Sequence, residues 1–131
     1  MAAAVRVSSM ALRLLWIINL VLGIYVAYIA TGSAKPWVVT HVFTGVLIVI
    51  LMWFLGVAQA LVKGGTLALT GATFGVGLAL ALIGMSQVAV TGGPGLYVLQ
   101  GLHVVLVLSA IALGEICASR YRKGLAAAQT A

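Results

Sequence analysis

Apolar residues do not alternate with polar ones along this chain; they come in four long runs, at about 13–31, 37–62, 66–90 and 96–118. Each run is near the twenty residues needed to cross a hydrocarbon core of about 30 Å. Runs of this length without a two-residue period read as helices, and only helices or closed barrels satisfy their backbone inside lipid. The breaks between them are short. Thr31-Gly32-Ser33-Ala34-Lys35-Pro36 separates the first two runs and Thr91-Gly92-Gly93-Pro94-Gly95 the last two. Each break ends near a proline, which is tolerated at the start of a helix because its missing N–H has no partner there. Lys63 and Gly64 barely separate the second and third runs, so that turn is tight. The pattern predicts an all-α integral membrane protein: one four-helix, up-and-down bundle over residues 1–131, built from two helical hairpins.

Composition narrows this further. Hydrophobic residues make up 64% of the 131, and charged residues 6%. That excludes an ordinary soluble domain and makes the lipid bilayer the surrounding medium. The net charge of +6 does not point to nucleic acid, because the basic residues sit between and beyond the apolar runs and form no basic face. Arg6, Arg13, Lys63, Arg120, Arg122 and Lys123 fall on one side of the predicted topology, and Lys35 alone on the other. By the positive-inside rule both termini are expected in the cytoplasm, in a multi-pass protein of the cell membrane. The first run exceeds the apolar core of a signal peptide and three more spans follow, so it reads as retained. One cysteine, Cys117, leaves no internal disulfide and no cysteine-cluster metal site.

The candidate chemistry is a pair of histidines, His41 and His103, 62 residues apart and the only two in the chain. A histidine inside a membrane run is costly and carries a functional hypothesis by default. Both fall near the start of runs with the same direction, on the second and fourth helices, which are diagonal neighbours in an up-and-down bundle. The four-residue difference in their distance from Pro36 and Pro94 is about 6 Å along a helix axis, which tilt absorbs. An internal repeat supports the pairing. Gly23 to His41 reads as glycine, apolar run, Thr31-Gly32, short loop, histidine; Gly84 to His103 repeats it with Thr91-Gly92. The expectation is a haem whose iron takes His41 and His103 as axial ligands. A closed zinc site needs four ligands, and no other histidine, aspartate or cysteine is near either residue in sequence. The plainer reading of each histidine is a hydrogen bond to a neighbouring helix.

The neighbours admit two readings each. Thr40, Thr44 and Gln100 lie within a turn of the histidines and are placed to orient the imidazoles, or, for the threonines, to bond their own helix carbonyls. Gly45, one turn beyond His41, leaves room for a ring edge or for close helix packing. Lys35 either pairs with a haem propionate or snorkels. Trp37, Tyr28 and Tyr97 fit an aromatic belt. Gly71 and Gly75 form a small-xxx-small packing pair. Glu115, the one acid, reads as a local ion pair five residues before Arg120 or as interfacial solvation. Cys117 reads as inert core, and Met52 and Met85 as core filler, with Met85 an alternative iron ligand.

The segment Gly84-Met85-Ser86-Gln87-Val88-Ala89-Val90-Thr91-Gly92 followed by Leu102-His103-Val104-Val105-Leu106 resembles the haem-binding hairpin of the haem A synthase family. Its members usually join two similar four-helix halves, each with one histidine on its second helix and one on its fourth; compact archaeal versions have a single half. The resemblance implies haem binding through His41 and His103. The family's catalytic half carries a glutamate three residues before the first histidine and an arginine just after it. Val38 and Val42 stand at those positions here, and the loop cysteines of many members are missing. The chain therefore resembles a haem-binding half rather than a complete hydroxylating site.

Three functions follow as expectations. The first is a bis-histidine, b-type cytochrome-like module in respiratory electron transfer or haem handling, with haem b, or haem o or a, bound by His41 and His103 and flanked by Gly45, Gln100 and Lys35. Its expected partners are respiratory oxidase subunits, a second copy of the chain, or quinol. The second is a haem A synthase oxidising haem O to haem A. The third is a cofactor-free scaffolding subunit.

Overall fold

The computed structural model describes residues 1–29, 35–89 and 93–130, with side chains over 1–27, 36–87 and 93–130. Four helices carry it: α1 (Ala2–Ile24), α2 (Lys35–Ala60), α3 (Leu67–Ala89) and α4 (Pro94–Gln129). A π-helical turn, Tyr25–Ile29, continues α1. All four are long and apolar enough to cross a membrane, and their outer faces carry exposed large apolar side chains such as Leu67, Leu82, Val98 and Val105. The chain is a multi-pass membrane protein with the expected bundle.

Two helices outrun the apolar runs that announced them. α1 begins at Ala2 rather than near 13, and α4 continues to Gln129 rather than ending near 118. At 36 residues, α4 is about 54 Å long, well beyond the hydrocarbon thickness. Both extensions are alanine-rich, which favours helix, and they pack on each other. Val5 and Leu12 of α1 are buried in one cluster with Cys117, Ala118 and Tyr121 of α4 and Ile48, Leu55 and Ala58 of α2. Gly114 is needed there, because a Cβ at that position would collide with the Leu12 side chain. A second cluster, Val49, Met52, Leu80 and Ala110, fills the middle of the bundle. Small residues on α4 let it touch α2 across the diagonal, while α1 and α3 make little or no contact among the described residues.

The tight turn after α2 is locked by a side chain. Gly64 takes a left-handed backbone conformation, φ 81°, open to glycine at little cost. The fully buried Gln59 then serves both helix ends: its Nε2 donates to the Gly56 carbonyl (3.1 Å), the Thr66 carbonyl (2.7 Å) and Thr70 Oγ1 (3.0 Å), and its Oε1 accepts from the Thr66 N–H (3.1 Å). Next to it, Trp53 stacks on Phe74 at 4.8 Å and donates to the Thr73 carbonyl at 3.1 Å.

Three expectations are corrected. Glu115 pairs with Arg13 of α1, not with Arg120, through two contacts of 2.7 and 2.6 Å that tie α1 to α4. Met85 is 60% exposed, outside the core and not among the residues lining the cleft beside the histidines. Gly71 and Gly75 face outward, with no other group within 4 Å of a Cβ there among the described residues, so they pack nothing within the chain. Met52 and Cys117 are core, as read.

Candidate functional site

The cores fill the end of the bundle that carries the termini and its middle. The opposite end, where α1 leads to α2 and α3 to α4, holds both histidines. His41 of α2 and His103 of α4 bring their rings to a centroid separation of 6.3 Å, with the planes at 50°. Each ring lies against a glycine of the preceding helix. A Cβ on Gly23 would stand 3.0 Å from His41 Cε1, and a Cβ on Gly84 would stand 3.0 Å from His103 Cε1. The glycine–histidine repeat of the sequence is thus a repeat in space: each hairpin supplies one imidazole and the notch that seats it.

His41 has a second hold. Its Nδ1 lies 3.2 Å from the main-chain carbonyl of Asn19. A carbonyl only accepts, so the bond places the ring hydrogen on Nδ1 and leaves the lone pair of the neutral ring on Nε2. Asn19 is itself buried within the apolar α1. Its side-chain Oδ1 accepts from Thr44 Oγ1 at 2.5 Å, and its amide Nδ2 would lie 3.6 Å from a Cβ on Gly45. That is an ordinary van der Waals contact, so Gly45 lies beside Asn19 without being required there. Both threonines also have the plainer role: Thr40 donates to the Pro36 carbonyl of its own helix at 2.9 Å, and Thr44 Oγ1 is within bonding distance of the Thr40 and His41 carbonyls at 2.9 and 3.0 Å.

A cleft opens beside the histidines, with about 780 Å³ of empty space including its mouth. Trp16, Asn19, Gly23 and Ala27 line it from α1, and Gln100, His103, Val104 and Leu108 from α4, with His41 and Gln87 also reaching it. The lining suits a mostly apolar ligand with a few fixed polar contacts. Gln100, within a turn of His103, is on the cleft wall. Asn19 and Gln87 were not singled out as site residues, although an isolated asparagine within an apolar membrane run is itself a signal. Trp37 is partly exposed and meets Tyr25 edge-on at 5.4 Å; Tyr97 is exposed. The side chains of Lys35 and Tyr28 lie outside the described residues.

His41 and His103 are the residues that would hold a metal-centred group here: their rings approach to 6.3 Å, and the bond from His41 Nδ1 to the Asn19 carbonyl leaves its Nε2 free to ligate. Among the described residues no third histidine, cysteine or acid joins them, so the four protein ligands of a closed zinc site are not assembled. Glu115 lies twelve residues beyond His103 on the same helix, about 18 Å along its axis. No match was found when the chain was compared with protein-family models, with curated proteins and with solved structures.

Proposed function

We propose that the protein is a haem-binding membrane module, a bis-histidine b-type cytochrome-like unit acting in respiratory electron transfer or haem handling. The observation that carries it is the 6.3 Å approach of two imidazoles, each seated on its own glycine by an equivalent hairpin. A haem held there supplies a one-electron iron couple in an apolar setting. The chain's own residues seat and orient the ligands: Gly23 and Gly84 set ring position, and the Asn19 carbonyl fixes the hydrogen of His41 on Nδ1. Leu20, Ile24, Val104 and Val107 give the cleft an apolar wall. With both ligands supplied by histidine and no acid nearby, the arrangement favours electron transfer over oxidation of a haem substituent, which needs an open position and a proton path. That weighs against reading the chain as a haem A synthase despite its resemblance to one half of that family.

Purified from membranes of cells making haem, the protein is expected to show the split, sharp absorption bands of low-spin six-coordinate haem. His41→Ala and His103→Ala should each abolish them. A colourless protein whose stability is indifferent to both substitutions would instead support a scaffolding subunit.

A further inference from the structure

We infer that the two imidazoles are unequal: His41 is the anchoring ligand, and His103 is the exchangeable one, the side from which a small neutral ligand such as carbon monoxide gains access. This rests on the haem reading and adds to it which hairpin holds the group.

The chain contains the same motif twice, so each hairpin is a reference for the other. Counted from the glycine and the histidine, Asn19, Thr44 and Gly45 of the first hairpin correspond to Leu80, Leu106 and Val107 of the second. The first set is a polar clamp. Thr44, three residues after His41, donates to Asn19 Oδ1 at 2.5 Å, and Asn19 returns its main-chain carbonyl to His41 Nδ1 at 3.2 Å. Gly45 lies beside the Asn19 amide. The second set is apolar, and Leu80 and Leu106 belong to the mid-bundle core. His103 Nδ1 is accordingly buried with no hydrogen-bond partner among the described residues. A partner on the second ring nitrogen fixes tautomer and ring orientation and strengthens the ligating nitrogen, an effect commonly worth about 10–100-fold in metal affinity. His41 has that partner and His103 does not. The cleft also runs along the His103 face of α4, past Gln100, Val104 and Leu108, so a displaced His103 ring has space beside it.

Two measurements test this. Haem titration of the variants should show His41→Ala losing about 10–100-fold more affinity than His103→Ala, with His103→Ala keeping a five-coordinate haem that binds carbon monoxide. Equal losses, or a greater loss for His103→Ala, would overturn the proposal. Nitrogen-15 spectra of the haem-free protein in lipid nanodiscs should show His41 as one tautomer, protonated on Nδ1, and His103 as a mixture. Identical tautomer ratios at both histidines would also sink it. A wild-type protein that takes up no haem would overturn the haem reading itself, and the nitrogen spectra would then decide the inequality alone.

Discussion

Gly23 and Gly84 show how much one missing methyl group decides. Each faces an imidazole so closely that a Cβ would lie 3.0 Å from ring carbon Cε1. A larger side chain must push the ring out of its seat. Gly23→Leu and Gly84→Leu are therefore expected to lower haem occupancy at least about tenfold, the scale on which disturbed ligand orientation is felt, with helix content by circular dichroism unchanged. Gly71→Leu, at an outward position with open space, is the control and should bind haem as the wild type does. Both glycines were visible in the sequence as parts of a repeat, and so were both histidines. Asn19 was not, although it touches His41 and Thr44. Its role passes through a main-chain carbonyl, and every residue type carries one of those. Gly45 was correctly placed beside the histidine, but its neighbour was legible only once α1 was packed on α2.

At the scale of the element, apolar run length located all four helices and misjudged two of their ends. Hydropathy reports where lipid contacts a helix, whereas the ends of α1 and α4 continue because Val5, Leu12, Ala118 and Tyr121 bury one another. The ion pair between Arg13 and Glu115 belongs to that same antiparallel contact, joining residues 102 positions apart, a distance no local spacing rule covers. The α2–α3 turn rests on Gln59. Gln59→Leu removes four hydrogen bonds and strands the Thr66 N–H. A buried polar group left unpaired costs about 1–3 kcal/mol, so a lower midpoint of thermal unfolding in detergent is expected. The turn lies at the bundle end away from the histidines, so the haem spectrum of the folded fraction should not change.

For the whole molecule, an even number of spans puts both termini at one end, together with Arg6, Arg13, Lys63, Arg120, Arg122 and Lys123. That asymmetry predicts a cytoplasmic location for both termini. Reporter fusions at either terminus should be active only with a cytoplasmic marker, and a fusion after Ser33 only with an external one; the reverse pattern would invert the orientation. The histidines would then lie in the outer half of the bilayer. The cleft beside them is a property of the assembly alone. The hairpins pack tightly within themselves, and α2 meets α4 across the diagonal. α1 and α4 are joined mainly toward the terminal end, through Leu12 against Gly114 and Arg13 with Glu115, so they part toward the histidines.

By itself the sequence determined that the chain is four membrane helices, that its charge is polarised to one end, and that two hairpins each carry a glycine and a histidine in the same order. These are readings of composition and spacing along one dimension, and the cost of exposing polar backbone to lipid leaves helices as the natural solution. Only the tertiary structure decided that the imidazoles approach to 6.3 Å, that one of them is clamped by Asn19 and the other is not, and that the acid on α4 closes onto α1. Each of those depends on how helices distant in sequence rotate and tilt to bury their small residues, and that choice is made by packing in three dimensions.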